Sequence, residues 1–128
     1  MVSKKIFNFI TKAIRESLKS EMRTKHGAII VNNNKIISVG YNQYDYNMFH
    51  KIIERKRLSI HAEIDAINKC EKRLLRGSTM YVIRYSHIHH QLMDSSPCPR
   101  CQKILKKIMR EYGLQKVIYS INIAISDL

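Results

Sequence analysis

Cys98 and Cys101 stand three residues apart in the run Pro97-Cys98-Pro99-Arg100-Cys101, and the residues that follow carry helical periodicity to Tyr112. Sulfurs at i and i+3 in a first helical turn face one point. A helix N-terminus and a nearby cation lower thiol pKa values, which favours thiolate ligation. A second helix is predicted from about His61 to Arg73, and it opens on His61-Ala62-Glu63. One imidazole and two thiolates suit Zn²⁺. A fold that holds such an ion must bring the starts of these two helices together.

The remaining cysteine, Cys70, lies nine residues after His61 on the same predicted helix. That is about 13 Å along a helix axis, too far for the same ion unless the helix breaks. Three protein ligands and an open position describe a catalytic zinc whose fourth ligand is water or hydroxide. The alternative is a site closed by one of the histidines in the 87–97 loop. Glu63 is two residues past His61, and in a first turn both side chains can project toward a site that caps the helix end. A carboxylate beside activated water is suited to move a proton to a leaving amine. Its plainer reading is a solvated first-turn carboxylate favoured by the helix dipole.

The rest of the chain supplies a scaffold. Ile6, Phe7, Ile10, Ala13, Ile14, Leu18 and Met22 predict an amphipathic helix over 4–22. Gly27–Val31 and Lys35–Tyr41 predict an antiparallel hairpin about the Asn32-Asn33-Asn34 turn. Residues 42–59 read as a loop with one helical turn, and 78–86 and Lys116–Ile121 as strands. Gly113 suits the end of the third helix. The order α-β-β-α-β-α-β implies an α/β fold with parallel strand–helix–strand units and helices packed on the sheet.

Composition narrows the function classes. The chain has 128 residues, enough for one domain, read as 1–128. Three cysteines, no apolar run of membrane-spanning length and no apolar leader point to an intracellular, cytoplasmic protein without a membrane partner. Twenty-three Lys and Arg against 10 Asp and Glu leave a net charge of +13, which attracts polyanions.

The pair His61-Ala62-Glu63 and Pro97-Cys98-Pro99-Arg100-Cys101 matches the H-x-E…P-C-x-x-C signature of zinc deaminases. Across nearly its whole length the chain resembles the cytidine/deoxycytidylate deaminase superfamily. The resemblance implies a three-layer α-β-α fold with a mixed sheet of four to five strands and an N-terminal hairpin. It implies zinc on His61, Cys98 and Cys101, and Glu63 as general acid/base. It also implies a base edge held by the Ala62 N–H and the Ser96 carbonyl before Pro97, with Asn42 touching the sugar or base. A histidine in the first ligand position is similar to the deoxycytidylate, polynucleotide and guanine branches. Two departures are the short chain beyond the fourth strand and Gln43 where deoxycytidylate deaminases commonly have Gly.

The leading expectation is hydrolytic deamination of a cytosine nucleotide (dCMP/CMP-type) to its uracil counterpart, with basic residues rimming the pocket. The alternatives are a deaminase editing a base in tRNA or single-stranded DNA or RNA, and a non-catalytic zinc-stabilised nucleic-acid-binding module. Cytosine rests on the resemblance alone. Cys70 reads as a small buried hydrophobe. His87, His89 and His90 read as a polar loop, with one of them at the substrate mouth as the alternative. His26 precedes a strand near the pocket. Lys103, Lys106, Lys107 and Arg110 read as the solvated face of the third helix. Tyr41, Tyr44, Tyr46 and Phe49 either pack a loop or stack on bases. An open sheet edge and Ile121, Ile123 and Ile125 suggest a homo-oligomer.

Overall fold

A computed structural model describes residues 3–44 and 59–120. The helical turn expected within 42–59, the basic run Lys51–Arg57, Tyr46, Phe49, Ile121, Ile123 and Ile125 lie outside the described residues.

The first helix, α1, spans Lys4–Ser17, with Ser3 as its N-cap accepting from the Ile6 N–H at 3.2 Å. It ends short of the expected Met22. The Lys25 ammonium donates to the Ser20 and Met22 carbonyls beyond it, so that backbone is satisfied outside a helix. The hairpin strands β1 (Lys25–Asn32) and β2 (Lys35–Tyr41) pair antiparallel from Gly27↔Tyr41 to Asn32↔Lys35. Asn33 and Asn34 both take the left-handed conformation, φ 54° and 66°, which asparagine tolerates. Two short strands, β3 (Gln43–Tyr44) and β4 (Ser59–Ile60), form a separate antiparallel pair.

The second helix, α2, covers Ala62–Lys69 and not the expected span to Arg73. It stops because Cys70 is extended (φ −96°, ψ 138°) and the Lys72 ammonium captures the Ile67 and Cys70 carbonyls. A single 3₁₀ turn, Lys72–Leu74, follows. Next comes β5 (Thr79–Ser86), and then β6 (Gln91–Met93), which lies inside the segment expected to be a plain loop. The third helix, α3, spans Pro99–Tyr112 and ends on Gly113 in the left-handed region (φ 79°), as expected. The last strand is β7 (Lys116–Tyr119).

The five-stranded sheet has the order β2-β1-β5-β6, with β7 also on β5. Its one parallel pair among the described residues is β5–β7. The expected parallel neighbour of the hairpin is corrected: β1 pairs β5 antiparallel, His26↔Arg84 through Val31↔Thr79, and β2 is left at the edge.

Alternation along β1 and β5 divides the core. Ile29, Val31, Tyr81 and Ile83 meet Phe9, Ile10 and Ala13 of α1. Ala28, Ile30, Met80 and Val82 meet Ala62 and Ala66 of α2 and Leu105 and Ile108 of α3. Three layers result, with α2 and α3 on one side of the sheet. Gly40 sets how closely α2 approaches: a Cβ there would lie 2.5 Å from the Ala66 nitrogen and 2.6 Å from the Ala62 carbonyl oxygen. The buried Ser38 hydroxyl adds a 2.6 Å hydrogen bond to the Ala66 carbonyl. The start of α2 is thereby fixed against the hairpin.

Candidate metal centre and active site

His61 is the N-cap of α2, with extended backbone (φ −75°, ψ 155°), and its ring makes no capping hydrogen bond. The imidazole is therefore free to turn outward from the helix end. Cys98 is the N-cap of α3, and its sulfur accepts from the Cys101 N–H at 3.3 Å. The two helix starts meet as the sequence requires. Cys98 Sγ lies 3.6 Å and Cys101 Sγ 3.1 Å from His61 Nδ1. All three donor atoms fall within 4.8 Å of one another.

These distances fit a tetrahedral ion. Zn–S bonds of about 2.3 Å and Zn–N bonds of about 2.0–2.1 Å place donors roughly 3.6 Å apart. The donor chemistry agrees. Burial, reinforced by Glu63 and then Cys98, pushes the Cys101 thiol up to about 12. A dication held beside the Cys101 thiol would reverse that preference and favour the thiolate. His61, Cys98 and Cys101 form a candidate zinc site.

Cys70 stays apart. The helix does break at this residue, the condition under which it could have reached the ion, yet it is buried in the α2–α3 core with its thiol toward the Glu71 carbonyl at 3.4 Å. His87, His89 and His90 are exposed and do not line the site.

Glu63 sits in the first turn of α2 and is only 4% exposed. Burial pushes its carboxyl above the usual range, opposed by its own backbone N–H and by His61. Glu63, His61 and Cys98 open on a cavity of about 310 Å³, at the small end of the range for ligand pockets. Met22, Thr24, His26 and Asn42 also line it, and Ala62, Ser59, Ser95 and Ser96 complete it. Among the described lining residues there is no Lys or Arg. Lys103, Lys106, Lys107 and Arg110 are exposed along α3, as a solvated face would be.

Asn42 is 5% exposed and largely committed. Its Oδ1 accepts from the His26 N–H at 2.8 Å, and its Nδ2 donates to the Thr24 carbonyl at 2.5 Å and to Met22 Sδ at 3.5 Å. The amide thus clamps residues 22–26 against the end of β2. Ser96 is held by Asp94, whose Oδ1 accepts from the Ser96 N–H at 2.9 Å and hydroxyl at 2.6 Å. Ser95 is anchored more deeply, donating to the Val82 carbonyl at 2.9 Å and accepting from the Ser120 N–H at 2.8 Å.

Sequence reasoning missed Ser95 and Tyr119. The Tyr119 hydroxyl is the single buried side-chain polar atom without a partner among the described residues. Burial, then Glu63 and the two cysteines, drive its phenol well up. A polar residue facing the core side of the last strand was the only signal.

The model of the cytidine and deoxycytidylate deaminase zinc-binding region matches residues 3–121. The chain belongs to this family. It is thereby a deaminase of the zinc-dependent hydrolase kind, and His61, Cys98 and Cys101 are its candidate zinc site. No curated protein matches the sequence. Among solved structures, the apo dCMP deaminase of cyanophage S-TIM5 is 24% identical with a TM-score of 0.63, over 92% of this chain and 84% of that one. The same phage enzyme in complex with dCMP and dUMP gives 22% identity and a TM-score of 0.60, over 93% and 83%. Cytidine deaminase from Burkholderia pseudomallei is 18% identical with a TM-score of 0.57, over 91% and 81%. These likenesses show the cytidine-deaminase-like α/β fold. Among the described residues no helix is long and apolar enough to cross a membrane.

Proposed function

We propose that this deaminase hydrolyses a cytosine nucleotide of the dCMP/CMP type to the uracil nucleotide and ammonia. The observation that carries the reading is the buried Glu63 carboxyl, set beside the His61–Cys98–Cys101 donor set at a cavity of about 310 Å³. Zinc held by these three residues would act as a Lewis acid that lowers the pKa of water at its open position. Glu63 does the proton work: its carboxylate takes a proton from the attacking water and returns it to the exocyclic amine as the C–N bond breaks. Burial holds its carboxyl above the ordinary range, which favours keeping the proton it takes from water until the amine leaves.

The Ala62 N–H, the Ser96 carbonyl and the adjoining Pro97 hold the base edge, and the Asp94–Ser96 turn fixes that loop. Asn42 holds the cavity wall and keeps one Oδ1 lone pair for the substrate. The reading also takes residues 1–128 as one catalytic domain, acting in the cytoplasm as a homo-oligomer through its open sheet edge. The test is Glu63→Gln in zinc-loaded protein. The expected result is unchanged zinc content with kcat for deoxycytidylate lowered by about 10²–10⁴. Full activity in this variant would contradict the role given to Glu63.

A further inference from the structure

Among the described lining residues, His26 has its backbone polar groups used by the fold and its ring left without a hydrogen bond. Its backbone is locked by Asn42: the His26 N–H donates to Asn42 Oδ1 at 2.8 Å, and its carbonyl accepts from the Asn42 N–H at 3.3 Å. It shares a strand face with Ala28 and Ile30, the face on which α2 and the zinc ligands lie. It lines the same cavity as Glu63 and His61, and neither ring nitrogen is hydrogen-bonded among the described residues.

The chemistry of that ring limits what it can bind. Histidine is largely neutral at pH 7, and burial, with Arg84 and His61 nearby, holds this one lower still, at about 4. A neutral imidazole presents one N–H donor and one lone-pair acceptor. That complements a hydroxyl, which is also both donor and acceptor, and offers no charge to a phosphate. Glu63 and the zinc ligands serve the reacting part of the base, which leaves this ring for another part of the substrate. The Asn42 amide in the same lining spends its Nδ2 on Thr24 and Met22 and one Oδ1 lone pair on the His26 N–H.

We propose that His26 is a specificity-determining residue that hydrogen-bonds a sugar hydroxyl of the nucleotide, with Asn42 acting as the clamp that presents it. This rests on the cytosine-nucleotide reading of the same cavity. A site built to bond a hydroxyl discriminates against an analogue that lacks it, because its own polar groups are left unpaired.

The experiment compares deoxycytidylate with 2′,3′-dideoxycytidylate in three zinc-loaded proteins: the unaltered chain, His26→Val and His26→Gln. Valine suits a strand and removes both ring nitrogens; glutamine restores a donor and an acceptor. Zinc content and thermal midpoint identify folded variants. The unaltered enzyme is expected to prefer deoxycytidylate at least tenfold in kcat/KM, carried by KM. In His26→Val that preference should fall to within threefold, with kcat nearly unchanged, and His26→Gln should recover part of it. A preference retained in His26→Val, or an equal loss on both nucleotides, overturns the proposal while leaving the deaminase reading intact. If the unaltered, zinc-loaded enzyme converts no cytosine nucleotide, the substrate reading itself falls, and this inference falls with it.

Discussion

Gly40 joins the fold to the chemistry, and its replacement by alanine tests that connection. The added Cβ would stand 2.5 Å from the Ala66 nitrogen and 2.6 Å from the Ala62 carbonyl oxygen, both backbone atoms that cannot rotate away. Ordinary contact begins at 3.4 Å, so α2 must retreat by about 0.9 Å. Overpacking of this kind costs about 1–3 kcal/mol. The displaced segment begins with His61 and Glu63, while Cys98 and Cys101 on α3 stay where they are. A 1 Å misplacement at a reacting centre costs roughly a hundredfold in rate. Urea unfolding of zinc-loaded Gly40→Ala should therefore show a midpoint lowered by that energy. Ammonia release from deoxycytidylate should fall by about two orders of magnitude, and zinc should bind more weakly. A variant equal to the parent in both properties would refute the argument. Lowered stability with full activity would show that the edge strand β2 yields and α2 does not move.

Three further outcomes follow from the same structure. Ser38→Ala removes the 2.6 Å bond to the Ala66 carbonyl and should cost about 1 kcal/mol in denaturant unfolding with zinc content unchanged. Cys70→Ala should also leave zinc content unchanged, because this thiol belongs to the core; a loss of metal would show that it ligates. His26 should titrate with a midpoint near 4 by NMR. Its folded pKa is depressed, so the unfolded chain binds the proton more readily, and stability is lost as pH falls from about 6.5 toward 4. The loss, measured against His26→Val, is at most about 3 kcal/mol; a His26 midpoint above 6 would refute the burial argument.

The metal ligands were legible because helix starts are legible. Short motifs marked where two helices begin, and N-cap geometry turned their donors to one point. The hairpin was legible from its asparagine turn. What sequence reasoning lost depended on long-range partners. α2 ends at Cys70 because Lys72 reaches back to its carbonyls, a contact no periodicity announces. β6 is three residues long and exists by pairing with Arg84–Ser86. The central place of β1 did leave a trace: Gly27–Val31 is continuously buried, whereas β2 alternates toward solvent, as an edge strand does. Ser95 lines the cavity only through tertiary contacts.

The most direct measurement is the conversion of deoxycytidylate to deoxyuridylate, followed by absorbance and ammonia, as a function of bound zinc. Protein stripped by a chelator and refilled with zinc alone should regain activity in proportion to zinc, saturating at one ion per chain. Undiminished conversion by the stripped protein, or none by protein carrying one zinc per chain, would contradict the account.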